Sequence, residues 1–289
     1  RRWDALDGPL GHSGSTPHVN WLAEKERIKQ LCWWDEAAER VGLPAHGQVF
    51  HMHPIGLVGC FSEKPPLIDV DAFIAIYSRE HVAFAPNTPP LSTLSKDNLR
   101  NIILEINRCY KENYDKANLL EIAYMLATVR HEANQFNDGE YFSSRPEFGS
   151  LSYFNKYDPV LADSSDAREN ARFNGNTQEG DGYKYRGRGC VHLTWKNNYL
   201  KASRRFSIDF ISNPDLASEY RYSVPIMIWG MTEGVFTGRK LSDYINSGGV
   251  DYLHARKIIN GMDKSSLIAG YALRFESILK VSSVLVMDF

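Results

Sequence analysis

The segment KANLLEIAYMLATVRHEANQF most constrains this chain. Leu119, Ile122, Leu126 and Val129 recur at helical spacing among strong helix formers, and the pattern then runs into Arg130-His131-Glu132. It predicts an amphipathic helix with its apolar stripe in the core and a histidine and a carboxylate on its last turn. Zinc-protease chemistry needs a second histidine four residues after the first, so that both face the ion. That position is Gln135, and the zinc reading fails. A carboxylate held rigidly at a cleft edge suits a general acid, since partial burial favours its protonated form. Glycoside hydrolysis needs a second carboxylate across the cleft, and Glu140 and Glu147 follow in the next loop.

Composition leaves room for a cleft. The 289 residues are 43% hydrophobic and 24% charged, enough for one large domain or two modest ones. A formal net charge of −2 points away from nucleic acid as a partner. No apolar run approaches the ~18 residues of a membrane span. Cys32, Cys60, Cys109 and Cys190 are scattered without a CxxC pair, and read as free thiols rather than a zinc site or disulfide framework. His51 and His53 alternate without a third ligand nearby, so a structural role is expected there. No metal or other cofactor is called for.

The proline cluster APNTPPLSTLS sets an expected boundary. Residues 1–90 form an N-terminal arm and accessory region, and residues 91–289 the main domain. Residues 20–43 and 95–113 have helical spacing, with Ser95 read as the N-cap of the latter. Residues 135–189 lose periodicity and read as a long functional loop. Helical patterns return at 195–206, 223–236, 251–259 and 264–281. The Asn260-Gly261 pair is good helix-stop chemistry.

A third segment, EGDGYKYRGRGCVHLTWKNNY, concentrates glycine, tyrosine and arginine. Gly187 and Gly189 would admit close approach of a bulky ligand. Arg186 and Arg188 offer planar forks for catalytic, loop or substrate carboxylates. On an extended strand, His192, Thr194 and Asn198 would face one side, as sugar recognition requires. P-loop and dinucleotide-binding spacings are absent. Trp195 and Tyr199 read as core anchors. Tyr153, Tyr183 and Tyr185 fit either the core or a sugar platform.

Taken together, RHEANQF, PEFGSLSYFNKYD, GYKYRGRGCVHLTWKNNY, NPDLA, ARKIINGMD and AGYALRFESIL, in that order, resemble glycoside hydrolase family 19, which contains chitinases and phage-type lysozymes. The resemblance covers roughly residues 95–285. It implies a mainly α-helical, lysozyme-like fold of two lobes around a groove, with a small strand element, and an inverting mechanism with carboxylates roughly 6.5–9.5 Å apart. Carried over, Glu132 matches the general acid and Glu147 the general base, with Glu140 as the alternative base. Thr194 matches a water-holding residue, and Asn198 and Asn260 match substrate contacts. His131, Tyr153, Tyr185, Arg186, Arg188, His192 and Arg274 complete the implied substrate-binding set. His192 stands where the family more often has Gln.

The earlier stretch WLAEKERIKQLCWWDEAAERVGLPAHGQVFHMHPIGLVGCF resembles segments found before such domains in bacterial type VI secretion effectors. That resemblance implies an antibacterial toxin delivered to a target cell's periplasm, where it cuts the peptidoglycan glycan strand. The implied partners are a secretion spike protein and an immunity protein. The chain begins Arg1-Arg2-Trp3, and a larger delivered protein upstream is expected. A chitinase, a phage endolysin, and a catalytically inactive glycan-binding or spike-adaptor module stand as alternatives.

Overall fold

The structure, a computed structural model, describes residues 26–29, 40, 65–84, 88–134 and 139–284. The chain divides into two compact units, Arg1–Glu63 and Lys64–Phe289. In the first, residues 26–29 are helical. The rest of the expected N-terminal helix, the His51/His53 pair, Cys32 and Cys60, and most of the segment likened to secretion effectors lie outside the described residues.

The second unit is mainly α-helical. Its helices are α1 (Val70–Glu80), α2 (Thr93–Tyr110), α3 (Leu119–Glu132), α4 (Ser165–Phe173), α5 (Asp181–Lys184), α6 (Lys196–Phe206), α7 (Tyr220–Thr232) and α8 (Ser265–Ser282). The strand element is a short antiparallel hairpin of β1 (Ile245–Asn246) and β2 (Gly249–Val250), pairing Ile245 with Val250. No helix among the described residues is long and apolar enough to cross a membrane.

The expected boundary at residue 90 falls inside this unit and is corrected to Glu63/Lys64. Ile68 bridges Ser283 near the C-terminal end, and the Asn107 side chain hydrogen-bonds both backbone groups of Ile68. Phe73 and Tyr77 of α1 stack on Phe275 of α8. The described part of the proline run, residues 88–92, therefore lies between helices of one core rather than between domains.

The central helix α3 starts because Asn118 caps it, its side chain accepting from the Leu120 and Glu121 amides. The expected amphipathic stripe is incomplete as a description, since every residue from Ile122 to Arg130 is buried. A helix apolar all round belongs inside the core, and α8 packs along it. Ser95 is not the cap of α2. Ser92 accepts from the Ser95 amide, and Ser95 sits buried one turn in, its hydroxyl accepting from the Tyr141 amide.

Two apolar cores result, which gives the two lobes expected. The larger gathers α1, α2, α3, α7 and α8 around residues such as Ile102, Leu126, Met227 and Phe275. A smaller one packs Tyr185, Leu193, Tyr199, Phe210 and Ile226. Residues 135–189 are not one loop, because they contain α4, α5 and a 3-10 helix over Ser152–Tyr157. Helix α4 escaped detection because only Ala171 of its nine residues is buried, so it carries no apolar stripe. The expected helix over 251–259 is instead the 3-10 helix His254–Ile258.

Candidate active site

A cavity of about 680 Å³ lies between the two cores. Glu132, Glu147, His192, Thr194, Asn198 and Asn260 all line it. Six sequence-predicted site residues thus converge, although they come from four separate stretches of chain.

Glu132 ends α3, where the helix's last carbonyls disfavour a negative charge. Arg256 answers this. It is 2% exposed, and its Nη1 donates to Glu132 Oε1 at 2.5 Å while Nε donates to the Asp263 carbonyl at 3.0 Å. A buried guanidinium must be paired, so the contact fixes the carboxylate's orientation as well as its charge environment. Glu132 therefore sits in an ion pair rather than in an apolar pocket. Beside it, His131 is half-buried and does not line the cavity. Burial lowers its pKa, partly opposed by Glu132.

Glu147 faces the cavity from the other lobe. Its amide donates to the Gly187 carbonyl at 2.8 Å, tying its loop to the glycine-arginine segment. Its Oε1 accepts from the Tyr153 hydroxyl at 3.1 Å, and Lys156 Nζ lies 3.9 Å away. Tyr153 thus serves Glu147 while remaining 46% exposed. Glu140 is differently placed. It is 4% exposed, accepts from Asn98 Nδ2 at 2.7 Å and forms an ion pair with Arg145. Its oxygens are committed to anchoring the loop onto α2, and it does not line the cavity. Of the two carboxylates left open by the sequence, only Glu147 reaches it.

The segment 185–199 is a tight turn leading into α6, not the extended strand expected. His192 and Trp195 have φ values of 48° and 76°, backbone that non-glycine residues seldom adopt. His192, Thr194 and Asn198 nonetheless share one wall, because the turn and the first helical turn present them together. The Thr194 hydroxyl donates to the His192 carbonyl at 2.7 Å, and Asn198 Nδ2 donates to the Thr194 carbonyl at 2.9 Å. Burial lowers the His192 pKa against the opposing charges of Glu132 and Glu147. Its Nε2 has no hydrogen-bond partner. Asn260 lines the cavity, and its Oδ1 accepts from the Gly261 amide just beyond the 3-10 helix that Ile259 closes.

Four expectations for substrate contact are corrected. Arg188 is 3% exposed and donates to Asp215 Oδ1, to the Lys184 and Arg186 carbonyls and to the Tyr199 hydroxyl. It clamps the turn from inside. Tyr185 is buried in the small core, its hydroxyl on the Ile211 carbonyl. Arg274 lies 3.9 Å from Glu80 on a different surface hollow. Gly187 and Gly189 make room for protein, not ligand. A side chain at Gly187 would press on His192 and Glu147, and one at Gly189 would strike Ser223 and the Ala217 carbonyl. Arg186 stays exposed enough to act, in a neighbouring hollow.

Sequence reasoning missed Arg256, although it stands within ARKIINGMD. The signal was an arginine beside an apolar pair, with nothing local to show that it reaches Glu132. Trp195 was read as a core anchor, yet it lines the cavity edge-on to Tyr157, with ring centroids 5.0 Å apart. Cys109 and Cys190 are free thiols. Among the described residues no group of three His, Cys, Asp or Glu side chains is placed to hold a metal.

No protein-family model matches the chain. It is 31% identical over 123 residues to a "Glycosyl hydrolase family 19 domain-containing protein" of Haemophilus influenzae, covering 39% of this chain and 61% of that protein. The chain thus spans less than two thirds of that relative's length. Among solved structures it is similar to chitinase C from Streptomyces griseus, with a TM-score of 0.47 and 17% identity over 73% of this chain and 94% of that one. A mutant of chitinase C aligns with a TM-score of 0.44 and 19% identity, over 73% and 78% of the two chains.

Proposed function

We propose that the protein is an inverting glycoside hydrolase that cuts the peptidoglycan glycan strand. The observation that carries this reading is the placement of Glu132 and Glu147 in one cavity, on opposite lobes, each with its own cationic partner. In this reading Glu132 gives its proton to the departing sugar oxygen, and Arg256 stabilises the carboxylate left behind. Glu147 takes a proton from a water that attacks the opposite face of the sugar. The Thr194 hydroxyl, its own proton held by the His192 carbonyl, accepts from that water. Asn198 and Asn260 orient the sugar's amide and hydroxyl groups.

The resemblance of the N-terminal stretch to secretion-effector segments extends the reading. The enzyme then acts in a target bacterium's periplasm, with a secretion spike protein and an immunity protein as its partners. Chitin is the second substrate reading, because the Thr194, Asn198 and Asn260 wall is uncharged and suits any N-acetylated sugar polymer.

Purified sacculi and colloidal chitin digested side by side, with mass spectrometry of the new reducing ends and NMR of the first-formed anomer, test this reading. The expected result is cleavage of sacculi with inverted configuration, reduced about 10³-fold in Glu132→Gln and in Glu147→Gln with folding intact. Retained configuration, or wall clearing unchanged in Glu132→Gln, would sink the mechanism.

A further inference from the structure

Glu147 faces two hollows, not one. Beyond the main cavity a second hollow, of about 340 Å³, is lined by Arg145, Pro146, Glu147, Phe148, Tyr183 and Arg186 among others. Its lining differs in kind from the main cavity's. Phe148 is 78% exposed, a large apolar ring left in solvent directly beside the carboxylate. Tyr183 is also exposed, and the Arg186 guanidinium lies over its ring, 4.0 Å from the centroid. The same guanidinium donates from Nη1 to the Tyr183 carbonyl at 2.9 Å, which fixes its plane.

The charges facing this hollow are unbalanced. Arg145 is paired with Glu140, whose oxygens are taken by Asn98 and Arg145. Glu147 accepts from the Tyr153 hydroxyl, and Lys156 Nζ lies 3.9 Å from it. Burial and the neighbouring Arg188 lower the Arg186 pKa, with Tyr183, Asp215 and Tyr199 opposing them. Asp215, whose charge also reaches Arg186, is paired with Arg188. A preoriented planar fork beside two exposed rings and next to the proposed base is a recognition surface for a carboxylate carried on a sugar.

From this geometry we infer that the second hollow is a subsite for an acidic substituent of the glycan strand, held by Arg186, with Phe148 and Tyr183 as its apolar floor. The inference rests on the glycosidase reading and adds what that reading leaves open. Chitin carries no carboxylate, whereas a bacterial wall strand carries one on alternate sugars or on the peptide attached there. The subsite would therefore select for the wall polymer.

Binding, rather than turnover, tests it, so that failure of catalysis and failure of the subsite are told apart. The full chain carrying Glu132→Gln is titrated calorimetrically with chitin oligosaccharide, peptide-free wall strands and peptide-bearing wall strands. Adding Arg186→Gln is expected to weaken binding of the acidic strands about tenfold and of the chitin oligosaccharide less than twofold. Loss confined to peptide-free strands assigns the carboxylate to the sugar; loss confined to peptide-bearing strands assigns it to the peptide. Equal weakening on all three ligands, or none on any, overturns the subsite. Arg186→Lys keeps the charge but loses the fork, and is expected to fall between. If Arg186→Gln lowers the melting temperature sharply, salt decides with the parent protein. Added salt should weaken the acidic strands alone, and an identical salt response for chitin overturns the inference.

Discussion

The two lobes hold their carboxylates by different physics. The large lobe delivers Glu132 on the end of α3, a helix buried on every side, so that its position is set by apolar packing. The small lobe delivers Glu147 on irregular chain fastened by polar contacts. Asp158 accepts from the Val160, Leu161, Gly180 and Gly182 amides, Arg188 gathers two carbonyls, an aspartate and a tyrosine, and Asn176 ties the Tyr157 carbonyl to the start of α6. Packing fixes a helix end within a rigid frame. Hydrogen bonds fix a loop only as long as each bond is made, which leaves the Glu147 side freer to adjust than the Glu132 side.

The large lobe buries charge as well. Arg130 is buried between the rings of Tyr271, Phe84 and Tyr141, at 4.4, 4.8 and 5.0 Å, and donates from Nε to the Tyr77 hydroxyl. That hydroxyl also contacts His81 Nδ1 at 2.9 Å. A cation among aromatic faces is stabilised by their quadrupoles, at a cost to any second positive charge nearby.

Removing Arg256 should disturb the contrast most, because it joins the packed helix end to the site. Arg256→Met is expected to lower turnover about hundredfold and stability by about 3 kcal/mol, since Glu132 loses its buried partner. Turnover on sacculi and urea denaturation measure the two effects. Unchanged turnover would show that helix packing alone orients Glu132.

Acid separates the lobes next. Burial, with the Arg130 charge beside it, lowers the His81 pKa from 6.5 to about 4. The folded state then binds fewer protons than the unfolded chain between those values. The stability His81 confers is whole above pH 6.5 and lost as pH falls toward 4, about 2–3 kcal/mol in all. Thermal melts across pH 4–7 should show this slope, and His81→Gln should flatten it.

The small lobe responds lower on the scale. Burial pushes the Asp158 pKa up, but its four backbone donors outweigh that and hold it below the ordinary carboxylate value. Its contribution is present above pH ~4 and lost as pH falls further. Asp158→Asn is expected to cost about 1–2 kcal/mol. Hydrogen exchange should rise in residues 150–185 while α3 and α8 stay protected. Exchange rising equally in α3 would mean that the lobes unfold as one.

Legibility in the sequence followed the same division. The helices α2, α3, α7 and α8 were readable because each buries apolar residues at helical spacing. Glu132, and a loop offering Glu140 or Glu147 to face it, were readable from flanking residues and their resemblance. The polar fastenings were not. Arg188 looks like a ligand fork until its acceptors from three parts of the chain are seen, and Arg256 lies 124 residues from the carboxylate it holds. Glu140 and Glu147 differ little as letters, yet Asn98 and Arg145 close around one and leave the other open.

By itself, then, the sequence determined a helical protein with an acidic residue at the end of its central helix, because apolar periodicity is a local property that burial must satisfy. Which carboxylate faces it, which arginine serves it, and which glycines admit protein rather than ligand were decided only in the tertiary structure. Hydrogen bonds and ion pairs join partners by distance in space, and spacing along the chain carries no record of that distance.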